Sequence, residues 1–265
     1  MILFSDLERA IAEETTIATT TWYPNPEGNA NDKIRSELAL NMIRRASDRG
    51  YGIVVVDGGS HYKLLNKFAA LGVAIYDQEK TGMGVGRREA FREGLDFSNE
   101  VIVWTEPEKS NFIPELWKTI IPIAEERADL VIPDRRPLNS YPKVQQYAEN
   151  AGNLAVSRLL NEYLGYEENL DLWSGPRIGT RKVFENCFLT YDGRYGDDWE
   201  SIFVPVADAI IQGYKVIGFK INYTHPASQR KIEDARIDLD SRRTEQLYVL
   251  TNAIHARLKE HAQAA

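Results

Sequence analysis

The chain of 265 residues has one cysteine, Cys187, so an intrachain disulfide is excluded and a reducing compartment fits. Set before Phe188 and Leu189, that cysteine reads as a small core residue. No apolar run approaches the ~20 residues of a membrane span. The N-terminus, Met1-Ile2-Leu3-Phe4-Ser5-Asp6-Leu7-Glu8-Arg9, turns acidic too early for a signal peptide. A cytoplasmic protein with no membrane span is therefore expected. Positive charge is scarce too. The net charge of -7 argues against nonspecific nucleic-acid binding, and no nucleic-acid partner is expected. An anionic substrate stays open, because a local Lys/Arg cluster or a metal can supply positive charge. The motif G-x-x-x-x-G-K-[ST] is missing, which excludes a P-loop NTPase.

What is present is ordinary for a soluble globular protein: 43% hydrophobic and 27% charged residues, in a chain long enough for an ample core. The first half alternates strand and helix. Thr15 to Trp22, Ile53 to Val56, Val73 to Tyr76, Val101 to Trp104 and Leu130 to Ile132 read as strands. The run Ile53-Val54-Val55-Val56 shows no polar alternation, as expected for a strand covered on both faces. Helices are expected from Asn31 or Asp32 to Gly50, around Leu64 to Phe68, from about Arg87, and over Pro114 to Arg127, where Pro122 should introduce a kink. This order implies a mostly parallel sheet with right-handed crossovers. The second half reads as a helix over Val144 to Leu164, an irregular Leu172 to Arg177 and a loop from Tyr191 to Asp198. Then come a helix from Glu200 to Gln212, a strand over Val216 to Ile221, and a C-terminal helix from Asp240 that buries Leu247, Leu250, Ile254 and Leu258.

In an open α/β sheet, ligands bind at the carboxyl ends of the strands. Three strand ends carry acids: Asp57, the pair Glu106 and Glu108, and Asp134. Glu106 and Glu108 are two residues apart, and in an extended segment both point the same way. Such carboxylates repel unless a cation sits between them, and hard oxygen ligands suit Mg²⁺ or Mn²⁺. A solvated strand end stopped by Pro107 is the bland alternative. His225, held out of a helix by Pro226, reads either as a further ligand or as a lone surface histidine. Thr81-Gly82-Met83-Gly84-Val85-Gly86 suggests a dinucleotide loop, but about six residues separate it from its strand, whereas that fingerprint follows immediately. It reads instead as a glycine-rich loop bringing amides and Arg87/Arg88 near a phosphate, or as a plain turn. Gly196-Asp197-Asp198-Trp199-Glu200 precedes a helix. Asp198 suits an N-cap, and as chemistry a carboxylate there can deprotonate a hydroxyl.

In this order the pieces resemble the GT-A glycosyltransferases, in particular the family 2 group that includes dolichyl-phosphate mannose synthase-like enzymes, over about Thr15 to His225. Ile53-Val54-Val55-Val56-Asp57-Gly58-Gly59-Ser60 is similar to the family's second strand, whose acid contacts the nucleotide base or ribose, and Thr81 to Ala90 to its glycine-containing segment. Glu106-Pro107-Glu108 stands where the family has D-x-D, Ser174-Gly175-Pro176-Arg177 where it has S-G-[FP]-R, and Gly196 to Glu200 where it has E-D-x-[DE]. The resemblance implies a GT-A (Rossmann-like) α/β fold over 1–265. A nucleotide-binding half would span about 15–135, and an acceptor-binding half with the C-terminal helix about 136–265. It implies an inverting hexosyltransferase that moves a sugar from a UDP- or GDP-linked donor to a soluble hydroxyl acceptor. Asp57, Lys80, Gly84, Arg87 and Arg88 would bind the nucleotide. Glu106, Glu108 and His225 would hold Mg²⁺ or Mn²⁺, and Asp198 or Asp197 would act as base, while Arg135 and Arg136 are further candidates to face the diphosphate. Glu-Pro-Glu for Asp-x-Asp is the main departure. A nucleotidyltransferase on a sugar phosphate and a non-catalytic nucleotide- or sugar-binding module are the alternatives, and the sequence leaves a homo-oligomer open.

Overall fold

The computed structural model describes residues 6–97, 99–191 and 195–264. The first five residues and part of the loop expected between Tyr191 and Asp198 lie outside that description. The chain opens with α1 (Asp6–Glu13), then β1 (Thr15–Thr21), α2 (Ala30–Ser47), β2 (Gly52–Asp57), α3 (Tyr62–Ala69), β3 (Ala74–Asp77), α4 (Met83–Asp96) and β4 (Val101–Trp104). It continues through α5 (Ile113–Ala124), β5 (Leu130–Asp134), α6 (Lys143–Leu164), β6 (Arg177–Thr180) and α7 (Arg181–Val183). The last elements are α8 (Val204–Ile211), β7 (Val216–Lys220), α9 (Ala227–Asp234) and α10 (Leu239–Ala264).

The seven strands among the described residues form one sheet in the order β3-β2-β1-β4-β6-β5-β7. Every pairing is parallel except those of β6, which runs against both β4 and β5. The β-branched composition of β1, β2 and β4 suits strands covered on both faces, and their residues divide with period two. Ile17, Ile53, Val55, Val101 and Val103 join the core under α1, α2, α3 and α5. Ala18, Val56, Ile102 and Trp104 join the core under α4, α6, α8 and α10. The mostly parallel α/β sheet flanked by helices is the architecture that the sequence implies.

Differences from the sequence reading are local. Asn29 caps α2, two residues before the expected start, accepting from the amides of Asn31 and Asp32 at 2.9 and 3.2 Å. Pro122 falls in the last turn of α5, two residues before the helix ends. β6 is a strand that the sequence reading did not name, its first residue Arg177 closing the stretch read as irregular, and α10 buries Leu250, Ile254 and Leu258, with Leu247 only partly covered. No helix among the described residues is long and apolar enough to cross a membrane.

β6 positions the site. Because it runs antiparallel to β4, with Trp104 opposite Arg177, the segment that enters β6 lies beside the carboxyl end of β4. The sheet also reverses its winding between β1 and β4, which opens a crevice at their carboxyl ends.

Candidate active site

A cavity of about 300 Å³ opens at that edge. Glu106, Glu108, Arg87, Arg135 and His225 all line it, so one space collects five of the site candidates singled out in the sequence.

The two glutamates diverge. After Trp104 the strand ends, and the Lys109 amide donates to the Glu106 carbonyl at 3.0 Å, closing a turn with Pro107 at its second position. A turn does not keep the alternation of an extended strand, so the expectation of two parallel carboxylates fails here. Glu108, 3% exposed, accepts from Tyr23 Oη at 2.7 Å and Arg35 Nε at 2.6 Å on the same oxygen. Burial, and then Glu108, push the Tyr23 phenol well above its ordinary range. Glu106 instead lies against Gly175. Its Oε2 is buried without a hydrogen-bond partner among the described residues. Gly175 has φ 85° and ψ -58°, and a Cβ there would sit 2.5 Å from the Glu106 carboxyl carbon and closer still to its oxygens. Only glycine meets both demands.

His225, 3% exposed, follows β7 and stacks on Tyr141 at 4.3 Å between ring centroids. Its Nε2 lies 2.8 Å from Glu233 Oε2 on α9, while Nδ1 has no partner among the described residues. Burial lowers the imidazole pKa, against the pull of Glu233, so the neutral ring is favoured. A neutral imidazole that donates Nε2–H to a carboxylate presents the Nδ1 lone pair, as metal-bound histidines do. Among the described residues no three His, Cys, Asp or Glu side chains gather as a ligand set. Glu106 Oε2 and His225 Nδ1 are thus each buried without a partner among the described residues, on two residues that line one cavity. A carboxylate oxygen and an imidazole nitrogen are donor types that Mn²⁺ accepts.

The glycine run is not a loop. α4 begins at Met83, and Gly84 and Gly86 sit in its first turns as contact surface. The Gly84 amide donates to the Asp197 carbonyl at 3.0 Å, and a Cβ on Gly84 would come within 2.7 Å of the Gly196 carbonyl carbon. Arg88 donates to the Gly196 carbonyl, and its Nη2 lies 3.7 Å from the Asp197 carboxylate. Arg87, 7% exposed, donates through Nη1 to Ser201 Oγ at 2.8 Å and to the Asp198 carbonyl at 3.1 Å. Its Nε is unpartnered, and burial pushes the guanidinium pKa down to about 10 against the opposing charge of Glu106. The acidic turn is thus clamped onto α4. Asp198 precedes the 3₁₀ turn Trp199–Ile202 but makes no side-chain capping bond. Asp197 and Asp198 are exposed, and neither lines the cavity, whereas the neighbouring Trp199 does.

Other strand-end acids are consumed locally. Asp57 accepts from Thr21 Oγ1 at 2.6 Å and from the amides of Gly59 and Ser60 at 2.9 and 2.7 Å. Asp134 is paired with Arg136 at 2.8 Å. Lys80 is exposed and lies outside the cavity lining. Arg135, by contrast, lines the cavity from the end of β5, held by Asp171 at 2.9 Å and Glu149 at 2.8 Å. Sequence reasoning missed Arg35, Lys109, Gln145, Arg242 and Arg243, which also line the cavity. A signal existed for Arg242 and Arg243: cations in a helix's first turn oppose its dipole and call for an explanation.

No family model matches the chain, and no curated protein sequence matches it. Among solved structures it is similar to glucosyl-3-phosphoglycerate synthase from Mycobacterium tuberculosis. The complex of that protein with Mn²⁺, UDP and phosphoglyceric acid aligns with a TM-score of 0.60 at 13% identity, over 97% of this chain and 81% of the other. Its complex with Mn²⁺, UDP-glucose and glycerol 3-phosphate gives 0.59 at 13% identity, over 98% and 84%. Its complex with Mg²⁺ and UDP gives 0.58 at 13% identity, over 97% and 82%. At this identity the likeness concerns architecture: the chain has a GT-A fold, with its cavity at the carboxyl edge of that sheet.

Proposed function

We propose that the chain is a glycosyltransferase that moves a sugar from a nucleotide diphosphate sugar to an acceptor hydroxyl. The observation that carries this reading is the open Glu106 carboxylate at the β1/β4 crevice, beside Arg87. Carboxylate oxygen and guanidinium side by side suit a diphosphate chelated to Mg²⁺ or Mn²⁺. The solved neighbours hold Mn²⁺ or Mg²⁺ with UDP, which favours a UDP-linked donor. Glu106, with His225 Nδ1, would hold the cation, and Glu108 serves by fixing Arg35 on the cavity wall, through an oxygen that it shares with the buried Tyr23. When bound, such a cation supplies positive charge against the diphosphate that departs. Arg87 adds a fixed charge to the same end.

In the inverting form of the reaction the acceptor oxygen bonds to the anomeric carbon as the bond to the β-phosphate oxygen breaks. The hydroxyl proton passes to a carboxylate, and the nucleoside diphosphate leaves with the electron pair. Asp198 is assigned as that base, with Asp197 as its neighbour. Asp198 accepts no capping bond that would lower its basicity, and it is exposed beside Trp199, which lines the cavity. Asp57, Gly84 and Arg88 act on the nucleotide side by shaping the loop after β2 and the seat of the acidic turn, with Lys80 at its exposed rim.

The test is thermal shift with UDP, GDP and ADP, each with and without Mn²⁺, followed by detection of the released product. Stabilisation by one nucleoside diphosphate only with Mn²⁺, and release of that diphosphate on turnover, are expected. Release of pyrophosphate would mean a nucleotidyltransferase instead. Binding indifferent to Mn²⁺ with no turnover would mean a binding module. An Asp198→Asn protein with full turnover would remove Asp198 from the mechanism.

A further inference from the structure

In a chain of net charge -7, the cavity lining carries seven cationic side chains against four carboxylates. Four of the cations face one another across it: Arg35 from α2, Arg236 from the α9–α10 connection, and Arg242 and Arg243 from the first turn of α10. Two are neutralised. Arg35 pairs with Glu108 at 2.6 Å, and Arg236 grips Asp238 at 2.9 and 2.6 Å. Arg242 and Arg243 have no carboxylate within ion-pair reach among the described residues. Arg243 gives Nη1 to the amide oxygen of Gln246 at 2.7 Å and keeps a buried Nε without a partner. Arg242 lies 6.0 Å over the Trp199 ring.

Both stand where an unpaired cation is least stable, at the positive end of the 26-residue helix α10. Arg242 is partly open to solvent, and burial of the rest of it, followed by the charges of Arg236 and Arg243, lowers its pKa against the weaker opposing charge of Asp238. An independent sign of a missing ligand comes from α6, whose first turn meets the same cavity. Gln145, 4% exposed, gives Nε2 to Glu149 at 2.6 Å and leaves Oε1 buried with no partner among the described residues. Unpaired guanidiniums ask for an anion, and an unsatisfied amide oxygen asks for a donor such as a hydroxyl. We propose that the acceptor is an anionic alcohol, its phosphate or carboxylate seated between Arg242 and Arg243 and a hydroxyl donating to Gln145. The proposal rests on the glycosyltransferase reading for the role of this ligand, though not for its charge.

The experiment is titration calorimetry of inorganic phosphate, and separately of acetate, into the protein saturated with UDP and Mn²⁺ and into the unloaded protein. Wild type is compared with the double variant Arg242→Gln/Arg243→Gln and with Arg242→Glu. The loaded wild type binds one of the anions, and the tighter of the two names the group. The double variant loses roughly 10- to 100-fold in that affinity, the value of a charged hydrogen bond or two, while UDP affinity stays within about threefold. Arg242→Glu puts an acid where the α10 dipole favours one, so lost anion binding at an undiminished thermal midpoint separates recognition from folding. The proposal is overturned if the loaded protein takes neither anion, or if the variants bind it as wild type does. It is also overturned if UDP affinity falls in step, since the arginines would then serve the donor. Failure of UDP to bind at all would sink the glycosyltransferase reading alone, provided that phosphate binding to the unloaded protein still depends on Arg242 and Arg243.

Discussion

Gly175→Ala strikes the site through the backbone. At φ 85° and ψ -58°, an alanine occupies a region that L side chains rarely enter, at a cost of roughly 1–3 kcal/mol. The new methyl would also sit 2.5 Å from the Glu106 carboxyl carbon, so the carboxylate must leave its bed. Gly165→Ala is the matched control. It has φ 64° and ψ 21° in the turn that ends α6, with nothing within 4 Å of the added Cβ, so it carries only the left-handed penalty of about 1–2 kcal/mol. Urea unfolding at constant m-value measures both costs, and titration of UDP with and without Mn²⁺ measures the site. Gly165→Ala is expected to lose stability and keep metal-dependent binding. Gly175→Ala is expected to lose at least as much stability and the metal dependence as well. A Gly175→Ala protein that lost stability but bound UDP and Mn²⁺ like wild type would refute Glu106 as the group that meets the cation.

Glu106→Gln is expected to abolish the Mn²⁺ dependence of nucleotide binding and to lower the unfolding free energy by about 1–3 kcal/mol, because Glu106 is the main opposing charge for the buried Arg87 and Arg177. Glu108→Gln is expected to keep that dependence and to cost about 1–2 kcal/mol, because Tyr23 and Arg35 exchange a charged shared acceptor for a neutral one; Arg35 is 40% exposed, which holds the figure below that of a fully buried pair. Asp171→Ala strips three bonds from Arg135, including its Nε contact at 2.9 Å, and should cost about 3–5 kcal/mol in denaturant unfolding. For pH, the His225 pKa lies below its ordinary 6.5 in the folded state, so the unfolded chain takes up the proton first. That contribution to stability is intact above 6.5 and is lost as the pH falls below it. The Glu233 carboxyl, held low by His225 once its burial is overcome, loses its own contribution as the pH falls below 4.5. The thermal midpoint of wild type should therefore drop more steeply between pH 7 and 5 than that of His225→Gln, and parallel curves would refute the assignment.

The parallel half of the sheet was legible because β1, β2 and β4 are short β-branched runs bounded by turn residues, and burial on both faces asks for little else. β6 was not legible. It has four residues, one of them Gly179 and another Arg177, whose charge is masked inside the fold by backbone carbonyls of Leu172, Gly175, Pro176 and Ile202. No local pattern announces a strand whose register is imposed by neighbours on both sides. The glycine run misled for a related reason. Its glycines permit the close approach of α4 to the turn at Gly196, a tertiary demand that looks like a loop when read locally. Glu-Pro-Glu was read as extended chain, although a proline just past a strand end is equally the second position of a turn. The satisfaction of Asp57 could have been read from Asp57-Gly58-Gly59-Ser60, since an aspartate before such residues bonds the amides that follow it.

The residues that break local rules fall together. Gly175 holds a conformation closed to other residues, Gln145 buries an unsatisfied oxygen, and Arg87 buries a guanidinium bonded to carbonyls and a hydroxyl rather than to an acid. Arg242 and Arg243 set cations against a helix dipole. All five residues line one cavity at the sheet's carboxyl edge. Sites retained at a cost to the fold are those where a ligand completes the bonding. The demands here differ in sign along the cavity: an open carboxylate asks for a cation at the end of β4, and open guanidiniums ask for an anion at the start of α10. On the glycosyltransferase reading, a nucleotide–metal complex would meet the first demand and an anionic acceptor the second, which would bring the two reactants of a transfer into one cavity.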